Sequence, residues 1–223
     1  MRHGFRWLLV LGVAVAGLML AAPSAQATVF NLTSCHVEGG CGTQTIFGTV
    51  TLTQNGANVD FDVQLLGGNR FVETGSADDQ LFKFNGTGIV AGDITNEATV
   101  PAGVIPSGVD GFAGAFNGDG TGTFGFGVAC VTKAECNGGS TPVFSELTFT
   151  VTGATIADLT VPNANGNIFV ADVLIASNGL TGPVDASVSV GQHSVPEPSS
   201  LLLLGGGLVG LGVVRRFRVR RRP

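Results

Sequence analysis

Hydrophobic and polar residues alternate with a period of two through much of the chain between residues 28 and 193. The clearest example lies on either side of Asn55-Gly56, where segments 49–53 and 59–65 both alternate. Such alternation places one face of a strand against a core and the other toward solvent, and Asn-Gly favours the tight turn of a hairpin. The pattern therefore predicts a β-hairpin centred on this dipeptide.

Six further segments carry strand patterns, and glycine-rich or polar stretches separate them. These segments are 81–84, 111–116, 123–130, 146–152, 168–175 and 184–190. Segment 168–175 is apolar on both faces apart from Asp172, which is typical of a central strand. Short strands at this spacing, without a helical repeat of apolar residues, predict an all-β fold. We expect a single antiparallel β-sandwich or jelly-roll-like domain over residues 28–193.

The N-terminus departs from this alternation. Two arginines among the first six residues precede an apolar run over 7–22, and Ala25-Gln26-Ala27 follows as a small-x-small motif. These three parts in this order are typical of a secretory signal peptide, a short helix that signal peptidase removes. We therefore predict a signal peptide over residues 1–27 and a mature chain that starts at Thr28. The alternative is an uncleaved membrane anchor.

The C-terminus also departs from the alternation. Pro196-Glu197-Pro198 should be stiff and extended, because each proline fixes φ and lacks a backbone donor. The apolar run 199–214 predicts a short transmembrane helix of about 24 Å, against a hydrocarbon core of about 30 Å, and its glycines weaken it further. The six arginines in 215–222 should stay on the cytoplasmic side. This favours transient membrane insertion, with a plain stop-transfer anchor as the alternative.

The tripeptide, the short glycine-interrupted span and the terminal arginine cluster over residues 194–223 together resemble the PEP-CTERM sorting signal of Gram-negative bacteria. The resemblance implies that an exosortase-type membrane processing enzyme recognises the tail and cuts it near Pro196, Glu197 and Pro198. It also implies a route: transient insertion in the inner membrane, then delivery to the cell surface or to the extracellular matrix, with its exopolysaccharide and biofilm. It says little about residues 28–193.

Charge is strongly segregated along the chain. Eight of the eleven basic residues lie in the first six residues or after residue 214, which leaves Arg70, Lys83 and Lys133 for the predicted domain. The same region holds fifteen of the sixteen acidic residues, and therefore has a net charge of −12. Nucleic acids and anionic membranes bind through basic contacts, so this composition excludes nucleic acid as a partner of the domain.

Four cysteines lie in the predicted domain as two pairs of equal spacing, Cys35 with Cys41 and Cys130 with Cys136. In an exported chain, an even number of cysteines at matched spacing predicts two disulfides. Three pairings are open, and the prediction is the local one. Zinc binding is the alternative, but the spacing differs from that of common zinc sites, and His36 is the only nearby imidazole in the sequence.

Catalytic motifs are largely missing from the predicted domain, which has neither a G-x-S-x-G nor an H-E-x-x-H motif. A hydrolase on this chain would need paired carboxylates, such as Asp60 with Asp62 or Asp78 with Asp79. Both pairs are more typical of solvated acids, on a strand face and in a turn. The loop 117–120 offers oxygen ligands for Ca²⁺ but lacks the spacing of an EF-hand, and a glycine-rich turn is the simpler interpretation.

These observations favour a non-enzymatic protein of the cell surface or extracellular matrix, with no catalytic residue, cofactor or metal ligand predicted. The first alternative is an adhesin module that binds Ca²⁺ or a glycan and uses the same export route. The second is a carbohydrate-active enzyme built on the sandwich.

Overall fold

Thirteen strands form two antiparallel sheets in the part of the chain that the structure, a computed structural model, describes: residues 26–73, 79–137, 144–187 and 193–195. The predicted signal peptide, the Pro-Glu-Pro tripeptide, the apolar run 199–214 and the arginine cluster lie outside the described residues, apart from the last two residues of the signal peptide. Within those residues, no helix is long and apolar enough to cross a membrane. The all-β prediction and the sandwich architecture are confirmed.

Sheet one contains the predicted hairpin and four other strands. In spatial order its strands are β13 (His193–Val195), β1 (Ala27–Leu32), β3 (Gly48–Asn55), β4 (Asn58–Leu65), β10 (Glu146–Val151) and β7 (Ile94–Val100). Asn55 pairs with Asn58 across the turn, so the Asn-Gly hairpin is confirmed.

Sheet two is centred on the apolar strand β11. In spatial order its strands are β2 (Ser34–Cys35), β12 (Thr181–Ser187), β11 (Asn167–Leu174), β6 (Phe82–Phe84), β9 (Thr123–Cys130) and β8 (Val109–Asn117), and β5 (Arg70–Phe71) also pairs with β11. Strand β11 has β12 on one side and β5 with β6 on the other, so the central position predicted for segment 168–175 is confirmed. The remaining regular elements are a helix, α1 (Ile156–Leu159), and 3₁₀ turns at Ala91–Asp93 and Lys133–Glu135.

Phenylalanine rings fill the space between the sheets. Phe61 of sheet one stacks on Phe149 with a ring-centroid separation of 4.4 Å, and it contacts Phe84 of sheet two at 5.3 Å. Phe169 meets Phe61 edge-on at 6.0 Å. Large aromatic side chains bury more area than aliphatic ones, so this cluster supplies much of the hydrophobic stabilisation in a chain without tyrosine.

Five strands were not predicted. Strands β2, β5 and β13 have only two or three residues, too few to show alternation, and the longer strands β1 and β7 were missed for two different reasons. Strand β1 begins at Ala27, where the predicted signal peptide ends, and its alternation is too short to stand out. Strand β7 contains an irregularity: its pairing with β10 shifts register between Thr148 and Thr150, and Asn96 has a left-handed φ of 58°. A bulge of this kind interrupts the period of two on which strand prediction depends.

Candidate functional site

The first residues of the sorting tail belong to β13, the strand at the edge of sheet one. Strand β13 pairs antiparallel with β1, and Val195 lies opposite Ala27. The Pro196-Glu197-Pro198 tripeptide follows directly after Val195 in the sequence. The two predicted processing points, near Ala27 and near Pro196, therefore adjoin neighbouring ends of paired strands.

Both cysteine pairs form local disulfides. Cys35 at the end of β2 is bonded to Cys41, and Cys130 at the end of β9 is bonded to Cys136, which follows the second 3₁₀ turn. In the chain-entropy model a loop this small contributes roughly 2 kcal/mol to stability. No cysteine of the described residues is free, so the thiolates that a zinc site needs are absent in this oxidised state.

A fully buried ion pair joins Lys83 of β6 to Asp172 of β11. Nζ of Lys83 lies 3.0 Å from Oδ2 of Asp172, and both side chains are 0% exposed. The residues are diagonal neighbours on paired strands, because Lys83 pairs with Val170. Their chain neighbours belong to the hydrophobic core, so alternation along the strands places both charges on the other side of sheet two. Such a pair supports the fold only while both charges are present.

Glu73 is a buried carboxylate held against the second disulfide. Its side chain is 1% exposed, and Oε1 accepts a hydrogen bond of 2.7 Å from the backbone N–H of Cys130. Its own N–H donates to the carbonyl oxygen of Cys136 at 2.9 Å. A carboxylate oxygen of Glu73 and the sulfurs of Cys130 and Cys136 lie within 4.8 Å of one another. Among the described residues, no group donates a hydrogen bond to Oε2 of Glu73.

Burial raises the pKa of Glu73 from 4.5 to about 7. The hydrogen bond from Cys130 and the charge of Lys133 oppose this shift, whereas the charges of Asp79 and Asp172 add to it. Lys133 and Asp79 form an ion pair of their own, with Nζ 2.5 Å from Oδ1. Glu73 is therefore protonated in acid and ionises near neutrality, and the ionised form is the less favourable one in this buried position.

We expect Glu73 to make the protein less stable as the pH rises, and Glu73→Gln to remove that part of the pH dependence. The folded pKa of about 7 exceeds the unfolded value of 4.5, so the stabilisation is complete below 4.5 and is lost as the pH rises through about 7. A shift of this size corresponds to roughly 3 kcal/mol at most. Urea unfolding at pH 5 and pH 8 measures the difference.

Glu38→Gln is the matched control for this pH experiment, because Glu38 is exposed. The control should keep the pH slope of the wild-type protein. A Glu73→Gln variant with the wild-type slope would show that this carboxyl group ionises with an ordinary pKa.

A second acid–base contact links Asp185 to His36 beside the first disulfide. Nε2 of His36 lies 2.6 Å from Oδ2 of Asp185, whose side chain is buried. Burial raises the pKa of Asp185, and contacts with His36 and Ser34 oppose that shift. Ser34 and His36 therefore both contact the same buried carboxyl group.

The outer face of sheet one carries a shallow groove, which we call the acidic groove, with a volume of about 320 Å³. It is lined by Thr53, Asp60, Phe61, Asp62, Asn96, Thr148, Phe149 and Thr150. Asp60 accepts hydrogen bonds from Oγ1 of Thr150 at 2.8 Å and from Nδ2 of Asn55 at 3.2 Å. Partial burial raises the pKa of Asp62, and the charge of Glu146 adds to the shift. The groove therefore combines two carboxyl groups with several hydroxyl groups.

The structure tests the other acidic candidates only in part. Asp78 lies outside the described residues, and Asp79 is engaged by Lys133. Asparagine amides contact the end of the loop 117–120 and the residue after it. Nδ2 of Asn165 donates to the carbonyl oxygen of Gly120 at 3.4 Å. Nδ2 of Asn163 and Nδ2 of Asn167 each donate to the carbonyl oxygen of Thr121 at 2.8 Å. The amides therefore occupy the carbonyl oxygen of Thr121, which could otherwise coordinate a cation.

The buried pair of Lys83 and Asp172 could have been recognised from the sequence. Lys83 is one of only three basic residues in the domain and interrupts an apolar strand, as Asp172 does. Two lone charges of opposite sign in otherwise apolar strands indicate a buried pair. Glu73 gave no such signal, because only the folded chain brings it to cysteines more than fifty residues away.

The family model of the PEP-CTERM protein-sorting motif matches residues 194–221. This confirms the motif predicted from the tail, and it implies processing by exosortase, a membrane enzyme, with export and sorting toward the cell surface. Neither the curated proteins nor the solved structures contain a match to the chain.

Proposed function

We propose that this motif makes the chain an exported, non-enzymatic component of the surface or extracellular matrix of a Gram-negative bacterium, with the β-sandwich as its mature form. Signal peptidase removes residues 1–27, and the tail holds the chain in the inner membrane until exosortase cuts near Pro196, Glu197 and Pro198. The released domain then associates with the exopolysaccharide.

The observation that carries this proposal is the match of the sorting motif to residues 194–221, directly after a folded domain. The domain itself has properties that suit an extracellular environment. Two disulfides close it, and fifteen acidic residues against three basic ones keep it soluble and away from anionic membranes.

The position of Ala27 supports an order of events. The predicted cut, between Ala27 and Thr28, falls inside β1, where both residues pair with β3 and with β13. A peptide bond paired on both sides is not available to a protease unless the strand opens. Signal peptidase therefore acts before β1 takes its place in sheet one, and β13 docks on β1 afterwards.

The proposal is tested by replacing Pro196, Glu197 and Pro198 with alanine in the native host. We expect the wild-type mature protein to lack the arginine cluster, because exosortase removes it, and the triple variant to stay in the membrane fraction with the cluster intact. Mass spectrometry of the C-terminus after fractionation measures both. A Ser199→Ala/Ser200→Ala variant controls for changes beside the tripeptide and should be processed normally.

Two results would contradict this proposal. A wild-type mature protein that ends at Pro223 would mean that the tail is a permanent anchor. A mature protein found in the cytoplasm with free thiols would exclude export altogether.

A second candidate function is binding of a glycan or of Ca²⁺, and the acidic groove is the observation that favours it. The carboxyl and hydroxyl groups of the groove offer hydrogen bonds to a sugar, and Asp60 and Asp62 offer charge to a cation. Binding of purified exopolysaccharide, with and without Ca²⁺, distinguishes this function when the wild type is compared with Asp60→Asn/Asp62→Asn. Turnover of the polysaccharide that the same variant lacks would indicate an enzyme instead.

A further inference from the structure

Glu73 lies beside the second disulfide and outside the sorting motif of residues 194–221. Two hydrogen bonds attach Glu73 to the two cysteines. The backbone N–H of Cys130 donates to its side-chain carboxylate, and its own backbone N–H donates to the carbonyl oxygen of Cys136. The short parallel bridge between Glu73 and Asn137 adds a further attachment. The hydrogen bond from Cys130 thus holds the carboxylate next to the second disulfide.

In the oxidised state, Oε2 of Glu73 accepts no hydrogen bond from the described residues. Burial of a polar atom without a hydrogen bond costs free energy, and no described group donates to Oε2. A disulfide has no hydrogen to donate, but a thiol does. Reduced Cys130 or Cys136 therefore offers this carboxylate a donor that the disulfide, and the rest of the described residues, do not offer to Oε2.

We propose that Glu73 is the internal base for closure of the Cys130–Cys136 disulfide, taking the proton of the attacking thiol. Its carboxylate oxygen lies within 4.8 Å of both sulfurs in the closed state. The two sulfurs must move apart when the bond between them is absent, and the thiol on the carboxylate side then donates to Glu73. Only the thiolate is a nucleophile, so removal of this proton is a required step of closure.

The reaction uses a disulfide oxidant, such as oxidised glutathione or an oxidoreductase disulfide. The thiolate of one cysteine attacks the oxidant, forms a mixed disulfide and releases one thiolate. The second cysteine transfers its proton to Glu73, attacks the mixed disulfide and releases the second thiolate. Two protein thiols have then lost two electrons and two protons, and the oxidant has become two thiols. One released thiolate takes the proton held by Glu73, and the other takes from solvent the proton that the first cysteine lost to solvent when it ionised.

The surroundings of Glu73 support this role. The charges that act on it are Asp79, Asp172 and Lys133, and burial raises the pKa of Glu73 to about 7. This pKa lies between that of an ordinary carboxyl group and that of an ordinary thiol, about 8.5. Transfer of the thiol proton to Glu73 is therefore less unfavourable than transfer of the same proton to a solvated glutamate.

The Cys35–Cys41 disulfide provides an internal control. Among the described residues, no carboxylate or imidazole lies as close to both of its sulfurs as Glu73 lies to Cys130 and Cys136. Both disulfides have a sequence separation of 6, so they close loops of equal length in the same molecule. A difference between their rates therefore reports on the local chemistry.

The experiment follows reoxidation of the reduced full-length chain in oxidised glutathione between pH 6 and pH 8, with alkylation of remaining thiols and mass spectrometry of each pair. We expect Glu73→Gln to slow closure of Cys130–Cys136 at least tenfold, in line with general base catalysis, and to leave Cys35–Cys41 unchanged. The rate in the variant should then rise with pH as a free thiol ionises. Glu73→Asp, which keeps a carboxylate, should recover part of the rate.

Three results would overturn the proposal. Equal rates in the wild type and in Glu73→Gln would show that the carboxylate takes no proton during closure. Equal slowing of both disulfides would show a structural role, and faster closure in Glu73→Gln would show that the negative charge only repels the thiolate. None of these depends on whether exosortase cuts the tail.

Discussion

Replacement of Lys83 with alanine is expected to lower the free energy of unfolding by about 3 to 5 kcal/mol, because it removes the ammonium group that lies 3.0 Å from the buried carboxylate of Asp172. Both side chains are completely inaccessible to water, so solvent cannot take over the role of the missing partner. Urea unfolding with the disulfides intact, followed by circular dichroism, measures the loss.

The exposed ion pair between Lys133 and Asp79 is the matched control for the buried one. Their side chains are 52% and 29% exposed, and Lys133→Ala should cost less than about 1 kcal/mol. The double variant Lys83→Met/Asp172→Leu separates charge from packing, since it removes both charges and keeps most of the volume. It should recover most of the stability that Lys83→Ala loses, and a double variant as unstable as the single one would contradict our account of the pair.

Truncation of Phe61 should have an effect of similar size through a different mechanism. Phe61 is 2% exposed and contacts rings on both sheets, including Phe149 at 4.4 Å and Phe84 at 5.3 Å. Phe61→Ala removes these contacts and leaves a cavity between the sheets, at an expected cost of about 3 to 5 kcal/mol. The midpoint of urea unfolding measures the change.

Phe112 provides the control for this substitution, because it is the same residue type on strand β8 but is 37% exposed. Phe112→Ala should change stability much less than Phe61→Ala. If the two variants were equally stable, the phenylalanine cluster would not be the part of the core that joins the two sheets.

The hairpin and the central strand could be predicted because their signals are local. The alternation on either side of Asn55-Gly56 spans only a few residues and does not depend on distant contacts. Segment 168–175 is apolar on both faces apart from Asp172, and the structure buries nearly all of this strand. Strand β7 was missed because the bulge near Asn96 breaks the period of two.

The acidic groove could be predicted only in part. The alternation from Val59 to Leu65 places Asp60 and Asp62 on one face of a strand, and the structure has them there. That Thr148 and Thr150 lie beside them follows from the pairing of β4 with β10, which are more than eighty residues apart in the chain. Sequence patterns identify the face of a strand but not its neighbours.

The sequence by itself determined the sorting signal, the all-β class and the charge segregation. Each of these features depends only on residues that are consecutive in the chain: the tail from residue 194, the alternation within each strand, and the clustering of arginines at the ends. The tertiary structure alone decided which strands pair, and so brought Lys83 to Asp172 and Glu73 to the Cys130–Cys136 disulfide. Such contacts depend on the order of strands within a sheet, which is set by the packing of the whole core and not by local propensity.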